Sequence, residues 1–367
     1  MTDTSSLFRP FEHKTLRLRN RVCMAPMTRE KSPGGVPTDE VVAYYTRRAK
    51  HQVGLIITEG TVIDHPVSMP SPDVPRMYGS DALEGWKKVV KGVHGEGGAI
   101  MAQLWHVGMM RKPGTEPNPT RVSQGPSGLV KPGKASGQAM SLQDIDDVMA
   151  AFTTAAATCK GLGFDGVELH GAHGYLLDQF LWEGTNQRDD QYGGPLKERL
   201  NFVKELIEAV RAAVGPEYPI SLRFSQWKAQ DYEAKLVSTP AELESLLLPL
   251  SEAGVDIFHA STRRFWEPEF PNESQLNLAG WTRKITGKPT ITVGSVGLDQ
   301  EFLTAFVGQG AAKADLGQLL ERMEAGEFDL VAVGRALLQD PEWVEKVRDG
   351  RLDAIQDFDA AARDRLF

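Results

Sequence analysis

Short apolar or β-branched runs recur along the chain, each followed by a turn and then a stretch with helical spacing. The runs are Val22–Ala25, Gly54–Thr58, Ala99–Leu104, Gly166–Leu169, Ile220–Phe224, Val255–His259, Thr290–Val293 and Leu330–Val333. Amphipathic stretches lie between them at Thr38–His51, Leu83–Gly95, Asp144–Gly161, Arg199–Val214, Pro240–Ala253 and Glu301–Ala312. Strands that alternate with helices imply a parallel sheet. The number of strands and a length of 367 residues favour closure into an α/β barrel of the (β/α)8 TIM type over an open doubly wound sheet. The phosphate fingerprint G-x-G-x-x-G is also missing after the first strand. One connection, Val107–Ser141, is long, rich in Gly, Pro, Ser and Lys, and without periodicity. A loop of that length in a compact domain is either disordered or functional, often a lid. No repeat or linker divides the chain, so one domain over residues 1–367 is expected.

Composition narrows the function classes. A hydrophobic fraction of 41% with 25% charged residues is that of a globular protein with a sizeable core. The net charge of −8 argues against nucleic acid or an anionic membrane as the main partner. No apolar run approaches a membrane span, and Met1–Pro10 lacks an export signal pattern. Two cysteines, Cys23 and Cys159, stand far apart, which excludes a four-cysteine Fe–S cluster and a disulfide framework. A cytoplasmic location is expected.

Barrel active sites form at the C-terminal ends of the strands. Those positions read Pro26–Met27–Thr28, Glu59–Gly60, Gln103, His170, Arg223, His259–Ser261, Gly294–Ser295 and Gly334–Arg335. Strand alternation sets Glu168 and His170 on the face opposite Val167 and Leu169, with Gln103 opposite Leu104 and Arg223 opposite Leu222. The polar face would point into the barrel. A buried polar layer that merely satisfies itself is the bland alternative. A Schiff-base aldolase would need a lysine at a strand end, and none is there. A metal enzyme could use His106, His170, His173 and a carboxylate, yet no ligand signature accompanies them. A cofactor with a planar polar ring would need donors on several sides, a cation and a phosphate cradle, and these strand ends supply all three. Gly294, Gly334 and Arg335 follow the last two strands, where barrel phosphate sites commonly form.

Several segments carry a closer likeness. They are Asn20-Arg-Val-Cys-Met-Ala-Pro-Met-Thr-Arg29, Ala102-Gln-Leu-Trp-His106 and Phe164-Asp-Gly-Val-Glu-Leu-His-Gly-Ala-His-Gly-Tyr-Leu-Leu-Asp-Gln-Phe-Leu181. Asn186-Gln-Arg188 through Asp190-Gln-Tyr-Gly-Gly194, and Asp329-Leu-Val-Ala-Val-Gly-Arg335, complete the set. Taken together, the chain resembles the Old Yellow Enzyme family of FMN-dependent ene-reductases. The resemblance implies non-covalent FMN over the barrel mouth, contacted by Ala25, Pro26, Met27, Thr28, Gly60, Gln103 and Arg223. Gly294, Ser295, Gly334 and Arg335 would hold the phosphate.

The same likeness implies that His170 and His173 receive the activating oxygen of the substrate and that Tyr175 protonates the α-carbon. NAD(P)H would reduce FMN, and an α,β-unsaturated carbonyl or nitro compound would reoxidise it. Nitrate esters or nitroaromatics are an alternative main activity. The His/His pair departs from the His/Asn pair of many members, and Thr28 stands where some bacterial members carry a redox-tuning cysteine. Trp105 and the pair Phe265–Trp266 are expected to line the substrate pocket, with Asp64–Tyr78 and Val107–Ser141 shaping it. Monomer and homodimer both stay open. A flavin-free metal-dependent barrel and a flavin-storing barrel without turnover are the rival readings.

Overall fold

The computed structural model of the protein describes residues 3–303 and 307–367. Eight parallel strands close into a barrel in chain order: β1 (Val22–Met24), β2 (Leu55–Val62), β3 (Ala99–Trp105), β4 (Gly166–His173), β5 (Ile220–Lys228), β6 (Ile257–Ser261), β7 (Thr290–Val293) and β8 (Leu330–Val333). β8 pairs with β1 to complete the ring. Every run expected from the sequence is a strand. Five extend beyond their expected ends: β3 and β6 by one and two residues, to Trp105 and Ser261, and further, β2 to Val62, β4 to His173 and β5 to Lys228. Register shifts between Ile57 and Gly60 and between Gly171 and His173 accompany the longer extensions. Such bulges bend the strand and re-aim its side chains at the barrel rim.

Alternation sorts the strand residues as the sequence implied. Leu104, Val167, Leu169 and Leu222 share one apolar cluster with Phe152, Val203 and Leu206 of the surrounding helices. Cys23, Ala25, Leu55, Ile57, Met101, Ile257, Ile291 and Ala332 form a second cluster inside the barrel. Phe11, Leu16 and Leu18 join that inner cluster from an antiparallel hairpin, Phe11–His13 with Leu16–Leu18. The hairpin packs against the N-terminal end of the barrel interior, away from the C-terminal mouth.

The helices Asp39–Lys50, Ser80–Gly95, Leu142–Leu162, Asn201–Val214 and Pro240–Ala253 follow the expected stretches. Their starts are chemically marked: Ser141 with Asp144 and Thr239 with Glu242 form capping boxes, each satisfying two otherwise orphaned backbone donors. The stretch Glu301–Ala312 differs. Residues 304–306 lie outside the described residues, and Val307–Ala312 runs through a turn to a bridge between Ala311 and Phe358 rather than a helix. A Gly308–Gln309–Gly310 sequence explains the interruption. Gly317–Glu324 is the helix that precedes β8. Leu278–Thr286, which follows β6 and is capped by the Asn277 side chain, lies outside the expected stretches, although Leu278, Trp281 and Ile285 stand at i, i+3 and i+7 on one face. No helix among the described residues is long and apolar enough to cross a membrane.

The long connection Val107–Ser141 is ordered, and two arginines order it. Arg111 donates to the carbonyls of Arg121 (2.9 Å), Thr115 (2.5 Å) and Asn118 (2.6 Å). Arg188 donates to the carbonyls of Pro126 (2.8 Å) and Met140 (2.6 Å). Charged donors thus replace the ladder that an irregular loop cannot make, each hydrogen bond contributing about 1.5–3 kcal/mol. Arg111→Ala should therefore release residues 112–122 locally. Limited proteolysis should cut there at least about tenfold faster than in the wild type, while the global melting temperature moves by no more than a few degrees.

Candidate functional site

The polar residues inside the barrel form two layers. The lower one centres on Glu168, which is fully buried on β4. Gln103 Nε2 donates to its Oε1 (2.8 Å), while Ser221 Oγ (2.9 Å) and His259 Nδ1 (2.8 Å) meet its Oε2. Register places these partners side by side, Gln103 opposite Glu168 and Glu168 opposite Ser221. Burial pulls the carboxyl upward, but the adjacent His259 and Arg223 outweigh it and hold it at about 2. The group is ionised at neutral pH. His259 Nε2 has no partner among the described residues, yet the layer does satisfy its charged group, as the bland alternative held.

The upper layer does not. One strand position above Glu168, His170 pairs in register with Arg223. Arg223 is 7% exposed, its Nη2 donates to Ser261 Oγ (3.1 Å), and its Nε has no partner among the described residues. Burial lowers it to about 10, so it stays cationic at pH 7. His170 Nδ1 is likewise buried without a partner. His173 Nε2 meets Ser261 Oγ at 2.8 Å. A guanidinium can only donate, so Ser261 Oγ accepts from Arg223 and keeps its proton and one lone pair for its other partners, His173 Nε2 among them. The His173 ring also stacks on Trp227 at 4.2 Å, and Trp227 is pinned by its own Nε1 donating to the Ser261 carbonyl (3.1 Å).

Burial first and Arg223 second depress both imidazoles well below the ordinary value of 6.5. Both are neutral at pH 7, each with one N–H to give. Tyr175 stands edge-on to His170 (5.0 Å) and to Trp105 (4.9 Å). Burial pushes its hydroxyl up to about 12, so it keeps its proton across the physiological range.

These groups open into a cavity of about 560 Å³ at the C-terminal mouth, within the roughly 300–1,000 Å³ of small-molecule sites. Ala25, Pro26, Met27, Thr28, Gly60, Gln103, Trp105, His170, His173, Tyr175, Arg223, Gly294, Ser295, Gly334 and Arg335 all line it. Gly60 is required by space: a Cβ there would lie 2.4 Å from the Trp105 ring. Arg335 donates to the Glu301 carbonyl (3.0 Å) and approaches Ser295 Oγ (3.4 Å). Burial lowers it to about 10, and it too stays charged at pH 7.

Phe265 and Trp266 are not in the lining. Phe265 is buried in the core, its carbonyl accepting from Asn277 Nδ2 (2.7 Å), and Trp266 packs edge-on against it at 5.2 Å. The pocket assignment for this pair is not carried forward. Trp227, Tyr232 and Phe302 supply the aromatic wall instead, with Ser261 and Arg263 beside them. Arg223, Ser225 and Trp227 alternate along β5, so extending the period-2 pattern past Phe224 would have found Trp227. Asp64–Tyr78 contributes Pro70 to the lining, and Val107–Ser141 contributes none. That segment braces the wall from behind, with the Met109 amide donating to Gln179 Oε1 (3.1 Å). His106 bonds to His65 (2.9 Å), and the described residues hold no group of three or more His, Cys, Asp or Glu suited to a metal.

Comparison with known proteins points the same way. The family model described as the NADH:flavin oxidoreductase / NADH oxidase family matches residues 6–354. An NADH oxidase of Thermoanaerobacter brockii is 33% identical over 97% of this chain, although the chain spans only 52% of that relative. The 12-oxophytodienoate reductase 7 of Oryza sativa subsp. japonica is 32% identical, covering 93% of this chain and 87% of its own length. Among solved structures, morphinone reductase in complex with tetrahydroNAD is 29% identical with a TM-score of 0.80, covering 97% of this chain and 93% of its own.

The histidine environments can be read directly by NMR titration. His94 bonds to the Asp165 carboxylate (2.9 Å), which raises it above 6.5. Its ring signals should shift at a pH above that value. Those of His170 and His173, assigned through His→Gln variants, should still be in the neutral position at the pH where His94 is half-titrated. A midpoint near 7 for either would contradict the desolvated site.

Proposed function

The chain belongs to the NADH:flavin oxidoreductase / NADH oxidase family, the Old Yellow Enzyme family of the sequence resemblance, and from that premise we propose that it reduces activated carbon–carbon double bonds. It is an FMN-dependent oxidoreductase whose electron donor is NAD(P)H. The residues present suit a flavin. Arg223 Nε is a buried donor without a partner, the chemistry a polar ring with acceptor atoms would satisfy. Gly334 leaves room at the opposite rim, where a Cβ would come no nearer than 3.6 Å to another atom.

In this reading, Ala25–Thr28, Gly60, Gln103 and Arg223 hold the ring, and Gly294, Ser295, Gly334 and Arg335 hold the phosphate. FMN, when bound, supplies the hydride chemistry that links NAD(P)H oxidation to reduction of the β-carbon. Arg223 neutralises negative charge that collects at the ring edge facing it, an interaction strengthened by its desolvation. His170 and His173 donate their N–H groups to the carbonyl or nitro oxygen of an α,β-unsaturated aldehyde, ketone, imide or nitroalkene. Neutral imidazoles suit that task, because they stabilise charge developing on the oxygen without losing a proton to it. Tyr175 gives its proton to the α-carbon. Its hydroxyl is a weak acid by burial, so it transfers only as the carbon becomes basic.

The observation that carries this reading is the unsatisfied upper layer: one buried cation, two neutral imidazoles and one protonated phenol share a cavity wall. An anaerobic absorbance titration tests it. NADPH or NADH should bleach a bound flavin, and cyclohexenone should restore the colour. A protein that is colourless and refuses FMN on reconstitution would end the proposal. Tyr175→Phe should slow the cyclohexenone step by about 10²-fold or more and leave bleaching by NAD(P)H within a few fold. Equal loss in both half-reactions would remove the role given to Tyr175.

A further inference from the structure

Behind the cavity wall lies an ion pair shut off from solvent. Lys228 Nζ and Asp178 Oδ1 are 2.7 Å apart, and both side chains are 0% exposed. Neither lines the cavity, and the chemistry proposed above uses neither. Burial opposes both charges, pulling Asp178 up and Lys228 down. An apolar pair of similar volume would cost the fold less, so stability alone does not account for this one.

What the pair touches gives it a purpose. The second carboxylate oxygen of Asp178 accepts the N–H of Gly174 at 2.6 Å. Gly174 is the residue between His173 and Tyr175. Its carbonyl in turn accepts from Gln179 Nε2 (2.7 Å) and Gln230 Nε2 (3.0 Å). Lys228 also donates to the Ser225 carbonyl (3.2 Å), and Ser225 Oγ accepts the N–H of His173 (2.9 Å). The residue that follows β5, Ala229, donates its amide to the His173 carbonyl (3.1 Å). The peptide groups on both sides of His173 are therefore tied to groups that the ion pair organises.

The backbone here needs holding. His173 and Gly174 sit at φ of +64° and +80°, a left-handed succession that a non-glycine residue keeps only when its surroundings enforce it. A Cβ at Gly174 would fall 2.0 Å from Gln230 Oε1 and would push that side chain aside. This turn sets the angle between the His173 imidazole and the Tyr175 ring.

We propose that Lys228 and Asp178 are positioning residues: the buried pair fixes the Gly174 amide, and through it the relative placement of the oxygen-binding His173 and the proton-donating Tyr175. The inference rests on the roles given to those two residues above. Asp178 needs its negative charge to hold the amide by a short, charge-assisted bond, and Lys228 keeps that charge in a place that would otherwise favour the protonated acid.

Lys228→Met removes the ammonium and keeps the length. Two measurements on the FMN-loaded protein test it. Hydrogen exchange of the amides from Gly171 to Asp178 should accelerate at least tenfold, while Thr290–Val293 across the barrel stays unchanged. The KM for cyclohexenone should rise at least tenfold, while the FMN dissociation constant stays within twofold. A loss of fold alone would not produce that split. Unchanged exchange around Gly174, or a KM within twofold of the wild type, would overturn the proposal. If Lys228→Met does not fold, Gln230→Leu, at a half-buried site, removes one clamp on the Gly174 carbonyl and should move both readouts in the same direction. A wild type that reduces no enone would defeat the ene-reductase reading, whereas the exchange data would still decide whether the pair holds Gly174.

Discussion

An ionised carboxylate in the middle of the barrel, Glu168, is the constraint on which the site depends. A charge at that depth is tolerable only if every lone pair finds a donor, and here Gln103, Ser221 and His259 converge from three neighbouring strands to provide them. Meeting that demand fixes the register of β3, β4, β5 and β6 against one another. A slip of one residue in any of them would turn its polar side chain out toward the helices and leave the carboxylate unpaired. With the register fixed, His170 and Arg223 have to stand one layer higher, side by side, at the mouth. Glu168 also lies close enough to favour the charged form of Arg223, so the lower layer supports the cation that the upper layer presents.

The contrast between the layers separates structure from function more sharply than residue type can. Both are buried and rich in hydrogen-bonding groups. The lower layer pairs both oxygens of its carboxylate and leaves His259 Nε2 without a partner, away from the cavity. The upper one leaves Arg223 Nε and His170 Nδ1 without partners at the cavity wall, and native interiors rarely leave such groups orphaned. At the other end of the barrel, the hairpin Phe11–Leu18 packs apolar side chains against the interior. The open mouth is where unsatisfied polarity and free volume coincide.

Much of this was legible in the sequence because two periodicities carry it. The period of two in Asp165–His170 set Glu168 and His170 on one face, and the alternation of strands with helical stretches set the barrel. What stayed hidden depended on departures from those periods. The irregularities in β2 and β5 carry the strands beyond their apolar runs, which is why Trp227 lies three residues past the expected end of β5. Phe265 and Trp266 looked like pocket residues because aromatics in a loop after a strand often are. Asn277 instead holds the Phe265 carbonyl and draws that loop down onto the core. The order of Val107–Ser141 was invisible for another reason: Arg111 and Arg188 act through backbone carbonyls, and the residues that offer those carbonyls leave no side-chain signature.

The aromatic wall follows from the same economy of anchors. Trp227 is held by one hydrogen bond to the Ser261 carbonyl, and the Ser261 hydroxyl joins Arg223 to His173. A single residue on β6 thus links the cation, one imidazole and the ring on which that imidazole stacks. Because a guanidinium has no acceptor to offer, Ser261 Oγ accepts from Arg223, and the same oxygen holds His173 Nε2 in place. The electrostatics of the cofactor side and the hydrogen bonding of the substrate side are therefore one arrangement. A substitution at Ser261 would disturb both at once, even though nothing in the residue itself is catalytic.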